Sequence, residues 1–333
     1  MNTEEWNPGK LLSLSGNYWA TCALHAGVKL DIFTVISDRL LTGQKIAEKL
    51  GGDARGVIML LNALASMSLL IKKNEGYSNT AFSNSFLSKE SPQYLGYIIM
   101  HHHHLMASWN ELDKGVITGK AVRSRASFDN PEVRENFLMG MFNLAMNIAP
   151  QIAGKIDLSK KRHLLDLGGG PGTYAIHFCL NNPSLLATIY DQKTTRPFAE
   201  KTIAKFGLSE RIGFQDGDYV EKDITGTYDV AWLSHILHGE GPEDAQKIIQ
   251  KAVSALEPQG MILIHEFVLN NDMDGPMFPA LFSLNMLLGT EKGQSYSEKQ
   301  IVEMLAAAGV MEIRRIPVQT PNDSGVIQGI VKG

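Results

Sequence analysis

The sequence has only two cysteines in 333 residues, Cys22 and Cys179. Both sit in apolar helical patterns, and two thiols cannot build the disulfide framework of a small secreted domain. They are expected to be buried thiols in a reducing compartment. No stretch of 18 uncharged apolar residues occurs; even Phe137 to Gly154 is interrupted by Asn143, Asn147 and Pro150, which excludes a membrane-spanning helix. The first ten residues, Met1 to Lys10, hold acids and no apolar core, so no signal peptide is expected. A net charge of −4 removes any general attraction to nucleic acid or an anionic membrane. What remains is an ordinary globular composition, 44% hydrophobic and 20% charged, long enough for about two domains. A soluble cytoplasmic protein is expected.

One stretch organises the chain. The apolar run His163 to Leu167 leads into Gly168-Gly169-Gly170-Pro171-Gly172, and an amphipathic stretch follows from Thr173. That order reads as strand, glycine turn, helix, where a ligand can approach bare backbone at a helix N-terminus. The dinucleotide fingerprint wants G-x-G-x-x-G. Here the glycines at 168, 170 and 172 give G-x-G-x-G, with Asp166 two residues ahead, and that pattern resembles the first motif of S-adenosylmethionine-dependent methyltransferases.

From Lys161 onward, strands and helices alternate. Strands are expected at Leu164–Leu167, Leu186–Tyr190, Ile212–Gln215, Tyr228–Leu233 and Met261–Glu266. A last helix, Ser297 to Ala308, precedes a terminal antiparallel pair, Ile313–Val318 and Val326–Val331. Such an open α/β sheet binds its ligand outside the carboxyl ends of the strands. Those ends carry Asp166, Asp191, Asp218 with Tyr219, Ser234 with His235, His238 and Glu266. Asp191 can accept hydrogen bonds from both ribose hydroxyls of a nucleoside. Asp218 can take an adenine amino group, with Tyr219 covering the ring. No basic run faces these acids, so the pocket suits a sulfonium and an ammonium rather than a pyrophosphate.

His238, at a strand end beside the cofactor turn, is a candidate general base. A phenol of pKa about 10 and a histidine of about 6.5 put full prior proton transfer roughly 5 kcal/mol uphill, so the proton is expected to leave as the methyl arrives. Glu266 could bond the far ring nitrogen, fixing the tautomer and stabilising the imidazolium.

Upstream, residues 10–36 are helical in pattern, with a wide apolar stripe that can serve as core or as a contact with another subunit. Helices at Gly43–Leu50 and about Ala54–Met67, then a hairpin turning at Asn74–Gly76, follow a winged-helix plan. The second helix has a single base, Arg55, so pairing of subunits is expected rather than DNA reading. The middle stretch, 93–153, is mostly helical and contains His101-His102-His103-His104. Four consecutive histidines point around a helix in about 100° steps, and none has a Cys or acid at i+4, so no metal site is expected. One or two of them, His101 and His104, are expected in a polar pocket. A Met-rich wall at 139–146 would suit a flat apolar substrate.

The whole chain resembles the small-molecule O-methyltransferase family that includes plant caffeate-type enzymes, hydroxyindole O-methyltransferase and bacterial tailoring enzymes. Gly27 to Phe33, Ile46 to Leu50 and Leu61 to Ala65 match its dimerisation domain. Ser108 to Leu112 and Phe142 to Met146 match helices lining its substrate pocket. Leu165 to Gly172, Gly217 to Tyr219, Leu233 to His238 and Glu266 to Leu269 match its catalytic domain.

The resemblance implies a homodimer with a winged-helix dimerisation domain at 1–92, a helical pocket segment at 93–160, and a Rossmann-like seven-stranded sheet at 161–333. It implies S-adenosylmethionine as cofactor, a hydroxylated aromatic acceptor, and no metal, nucleic acid or membrane. Cofactor residues would be Asp166, Gly168, Gly170, Gly172, Asp191, Asp218, Tyr219 and Ser234. His238 would be the base and Glu266 its partner. The acceptor pocket would draw on His101, His104, Trp109, Phe142, Asn143, Met146, His235 and Asn285. Two departures stand out: Gly239-Glu240 replaces the family's Asp-Trp, and Gln294-Ser295-Tyr296-Ser297 lacks its second acid near the base. They leave open two alternatives, a family member with non-methylating chemistry and a winged-helix regulator that senses the cofactor.

Overall fold

A computed structural model describes residues 5–125 and 130–333. The first four of the ten N-terminal residues, and 126–129 within the helical middle stretch, lie outside the described residues. The chain forms two compact units, Met1–Leu105 and Met106–Gly333. None of the described helices is long and apolar enough to cross a membrane.

In the first unit the expected helical run at 10–36 is three helices: α1 (Pro8–Gly16), α2 (Tyr18–Lys29) and α3 (Ile32–Ile36). Asn7 accepts the Lys10 amide to start α1, and the left-handed Asp31 (φ 60°) separates α2 from α3. After β1 (Leu41–Thr42), the Thr42 hydroxyl caps α4 (Gly43–Leu50) and Asp53 caps α5 (Ala54–Ser66). Strands β2 (Leu70–Lys73) and β3 (Gly76–Asn79) form the expected hairpin, and β1 joins the far edge of β3. Helix α6 (Ala81–Phe86) and the first residues of α7 (Gly96–Trp109) complete the unit. Its core is Val28, Ile32, Phe33, Ile36, Leu61 and Leu64, whereas no residue of α1 is buried. Cys22 corrects one expectation: it is exposed, on the outward face of α2, and only Cys179 is a buried thiol.

The second unit begins with the end of α7, α8 (Leu112–Thr118) and α9 (Pro131–Ala153), the last capped by Asn130. Then come β4 (His163–Leu167), α10 (Thr173–Asn181), β5 (Leu186–Asp191), α11 (Arg196–Lys205), β6 (Ile212–Asp216) and β7 (Tyr228–Ser234). A 3₁₀ turn at Leu237–Gly239 leads to α12 (Pro242–Ser254), β8 (Leu256–Leu269) and α13 (Met277–Gly289). Short β9 (Tyr296–Ser297), α14 (Glu298–Ala307), β10 (Val310–Ile316) and β11 (Ser324–Val331) end the chain.

The sheet order is β10-β11-β8-β7-β4-β5-β6. Strands β4 to β8 run parallel, while β11 pairs antiparallel with both β8 and β10. An eighth strand, β9, adds to the expected seven by pairing with the end of β8. Successive side chains alternate faces. Leu164, Val230, Trp232 and Leu263 pack under α9, α10 and α11, while Leu165, Leu233, Ile262 and Ile264 pack under α12 and α14. β10 starts three residues earlier than its sequence pattern indicates, because a register shift between Met311 and Arg314 breaks the two-residue period. The strand order reverses at β4, which lies between β5 and β7 and so opens a crevice at its carboxyl end.

Candidate active site

The glycine turn fills that crevice. Gly168, Gly170 and Gly172 all take positive φ, and a Cβ on Gly168 would stand 2.4 Å from Ile236 Cγ2. A larger residue therefore fits neither the backbone nor the space. Asp166 lies beneath the turn, 1% exposed, and accepts the Ala175 amide through Oδ2 at 3.2 Å. Burial pushes its carboxyl up to about 7; the Ala175 amide opposes this and the neighbouring Asp191 adds to it. It braces the turn from below.

Asp191 ends β5 at the mouth of the crevice. Its Oδ2 takes the Gly170 amide at 2.8 Å, and its Oδ1 takes the Gln192 amide at 2.6 Å and the Thr195 hydroxyl at 3.2 Å. Open space lies above Gly170, where an added Cβ would meet nothing within 4 Å. Tyr219 covers the other side of the turn, its Cε1 3.4 Å from the Cβ position of Gly168. Asp218 is exposed and accepts the Val220 amide at 2.9 Å, which fixes the turn that presents Tyr219. Ser234, at the end of β7, bonds His265 Nδ1 at 2.9 Å. A carboxylate with acceptor capacity, an aromatic ring and bare glycine backbone around an open space fit an adenosyl group.

The base side is tightly built. His238 Nδ1 lies 2.7 Å from Glu266 Oε2, and Glu266 Oε1 accepts the amides of Leu237 at 2.9 Å and His238 at 3.3 Å. One carboxylate thus holds both the ring and the backbone of the 3₁₀ turn. Burial alone would raise the Glu266 carboxyl, but His238 and His235 outweigh it and hold it well below the usual carboxylate range. It is ionised at neutral pH, so it accepts from Nδ1–H and leaves the His238 Nε2 lone pair free to take a proton.

His235 sits in the left-handed region (φ 56°), with Nδ1 3.6 Å from Glu266 Oε2. Burial lowers its pKa more than Glu266 raises it, so it is neutral. His235, His238 and Glu266 are the one trio among the described residues whose ligand atoms lie within 4.8 Å of one another. Within this trio the 2.7 Å contact of His238 Nδ1 with Glu266 Oε2 is a hydrogen-bond distance.

The sequence reading missed four residues here. Phe267, Phe278 and Phe282 wall the base: His238 stacks on Phe267 at 5.8 Å and meets the edge of Phe282 at 4.8 Å, while Phe278 packs on Phe267 at 5.0 Å. Phe278 and Phe282 belong to α13, which is apolar on every face and so shows no helical stripe in the sequence. Arg125 clamps the departure that follows the base, donating to Glu240 Oε1 at 2.8 Å and to the Gly239 carbonyl at 2.6 Å. Tyr296, in the stretch that lacks the family's second acid, donates to the Glu240 carbonyl at 2.6 Å. The unusual Gly239-Glu240 pair is therefore anchored by residues that only the fold brings to it.

The remaining residues expected around the acceptor are placed as follows. Asn285 is buried on α13, and its side-chain oxygen accepts from Arg123 at 3.0 Å. Phe142 is buried in the core under α9, where Met146 also packs; Asn143 is half-buried on the same helix. Trp109 is half-buried near the end of α7. His101 (buried) and His104 (half-buried) belong to the first unit, where His103 Nε2 contacts Lys29 Nζ at 3.1 Å and the His25 ring at 5.5 Å.

A family model described as the O-methyltransferase domain matches residues 113–311, and one described as the O-methyltransferase dimerisation domain matches 12–89. The chain is 30% identical over 97% of its length to a 3-hydroxy-5-methyl-1-naphthoate 3-O-methyltransferase of Streptomyces sahachiroi, covering 95% of that protein. It is 29% identical to the tetracenomycin polyketide synthesis 8-O-methyl transferase of Streptomyces glaucescens, covering 96% of each. The solved structure of PigF with SAH superposes with a TM-score of 0.90 at 27% identity, covering 98% of this chain and all of that one.

Proposed function

The chain belongs to the O-methyltransferase family, an enzyme that moves a methyl group from S-adenosylmethionine to a hydroxyl of a small aromatic acceptor, and from that premise we propose the roles of its residues. The non-methylating and regulatory alternatives find no support among its relatives. When bound, the cofactor supplies an activated methyl on a sulfonium. The glycine turn with Asp191, Tyr219 and Ser234 holds it, Asp218 fixes Tyr219, and Asp166 supports the turn from beneath. His238 Nε2 takes the hydroxyl proton as the methyl is transferred, and Glu266 holds Nδ1–H and stabilises the imidazolium. The aromatic wall of Phe267, Phe278 and Phe282, with His235 and Asn285, favours a flat ring beside the base. Residues 1–92 serve dimerisation, 93–160 the acceptor pocket and 161–333 the cofactor.

The occupant of the exposed face of α1 and α2 is a second copy of the chain. Leu11, Leu12, Leu14, Tyr18 and Trp19 are all more than half exposed, inside or beside the segment matched by the dimerisation model. The protein acts in the cytoplasm.

The observation that carries the catalytic reading is the hydrogen-bonded His238–Glu266 pair, one residue in the turn after β7 and the other near the end of β8. His238→Ala is expected to bind S-adenosylhomocysteine as the unaltered protein does while turnover falls about 10²–10⁴-fold. Calorimetry and product mass check this, and unchanged turnover would remove His238 as base.

A further inference from the structure

His265 and Glu266 are neighbours on β8 and so point to opposite faces of the sheet. Glu266 serves His238. His265 is fully buried on the other face, between Trp232, Tyr174 and His235, and the base mechanism does not use it. Its two ring nitrogens reach across both neighbouring strands: Nδ1 to Ser234 Oγ on β7 and Nε2 to Ser324 Oγ on β11, each at 2.9 Å. Ser324 Oγ in turn contacts Thr320 Oγ1 at 2.8 Å, and Thr320 Oγ1 donates to the Ser324 carbonyl at 2.9 Å.

The protons in this chain can be counted. A threonine hydroxyl has one proton, and Thr320 spends it on a carbonyl, which can only accept. Across the 2.8 Å contact, Ser324 must therefore donate to Thr320. With that proton committed, Ser324 Oγ can only accept from His265, so the ring proton is on Nε2. Complete burial and the adjacent His235 drive the His265 pKa well down, so the ring is neutral and its Nδ1 carries a lone pair. Ser234 then donates to Nδ1 and has no proton left for anything else; the buried Tyr174 hydroxyl, which also reaches Ser234, can only donate to it, so one Ser234 lone pair remains open.

We propose that His265 is a positioning residue: locked as its Nε2–H tautomer by Ser324 and Thr320, it turns Ser234 Oγ into a pure hydrogen-bond acceptor at the cofactor end of β7. Ser234 so oriented selects for a donor there, the class of group that an amino or ammonium nitrogen of the cofactor provides, and it disfavours an acceptor such as a phosphate oxygen. The inference rests on Ser234 touching the cofactor. His265 also holds the strained turn beyond β7, since its carbonyl accepts the His235 amide at 2.8 Å.

Two measurements test this. Nitrogen-15 NMR of the histidine rings, with His265 assigned by its loss in His265→Gln, should show protonated Nε2 and bare Nδ1, unchanged from pH 6 to 8.5. Ser324→Ala, a mild change at the far end of the chain, should populate the Nδ1–H form. A wild-type ring protonated at Nδ1, or a tautomer indifferent to Ser324→Ala, overturns the proton chain.

Calorimetry with S-adenosylhomocysteine reads the consequence. His265→Asn places an amide oxygen where Nδ1 stood and should keep affinity within about threefold. His265→Gln reaches Ser324 instead, and should weaken binding by about 2- to 12-fold, the worth of one hydrogen bond, with the loss appearing in KM for S-adenosylmethionine rather than in kcat. Ser234→Ala should weaken binding similarly, and adding it to His265→Gln should cost nothing more. If Ser234→Ala binds like wild type, the Ser234 contact itself is wrong. If Ser234→Ala weakens binding but His265→Gln and His265→Asn both bind like wild type, only the positioning role of His265 falls.

Discussion

At the scale of single residues, two carboxyls a few ångströms below the site behave in opposite ways for reasons visible in their surroundings. Glu266 is ringed by two imidazoles and two amides and stays ionised. Glu266→Gln keeps the size and one acceptor but not the charge that the imidazolium needs. A charge-assisted hydrogen bond contributes about 1.5–3 kcal/mol, so kcat is expected to fall about 10- to 150-fold with cofactor affinity retained. Asp166 is buried with little to compensate its charge, and its carboxyl is pushed up to about 7. A raised acid favours the folded protein when protonated, so its stabilising contribution is complete near pH 4 and is lost as pH rises through about 7. Asp166→Asn, which cannot ionise, should show a Tm advantage over wild type that widens from pH 5 to 8; parallel curves would contradict the assignment. Glu266 and His238 were legible in the sequence because one lies near the carboxyl end of a strand of strong apolar pattern and the other follows such a strand. Arg125 was not, because its stretch has no period and its partners Gly239 and Glu240 lie more than a hundred residues away.

Elements tell a similar story with different causes. The strand–turn–helix at 163–181 was legible because glycine spacing reports backbone conformation directly. The positive φ at 168, 170 and 172 is what that spacing demands. Gly168→Ala forces a Cβ against Ile236 at a left-handed φ, which costs about 1–3 kcal/mol. Its urea midpoint is expected to fall and S-adenosylhomocysteine binding to weaken, and a variant unchanged in both would refute the close-packed turn. Less legible were α13 and the start of β10. Helix α13 has apolar residues all round, so it carries no helical stripe to find, yet it supplies Phe278 and Phe282 beside the base. In β10 the register shift scrambles the alternation that marks a strand.

For the whole molecule, the sequence separated a helical N-terminal region from an α/β sheet, and the structure draws the boundary of its compact units at Leu105. The apolar stripe at 10–36 was readable, but whether it faces a core is decided only by the fold. Val28, Ile32 and Phe33 turn inward, while Leu12, Trp19 and Cys22 stay outside. Burying several such side chains against a second copy contributes about 1.5–3 kcal/mol apiece. Leu12→Asp with Trp19→Asp is expected to convert a dimer into a folded monomer in sedimentation at micromolar concentration. A variant that remains dimeric would move the interface elsewhere.

The most direct test of the catalytic claim varies the acidity of the acceptor. Methylation rates of wild type and His238→Ala should be compared across ring-substituted versions of one accepted phenol, from pKa about 10 down to about 7. If His238 removes the hydroxyl proton, the penalty for its loss should be large for the weakest acid and shrink steadily as the phenol ionises unaided. A penalty that stays constant across the series would contradict His238 as the general base.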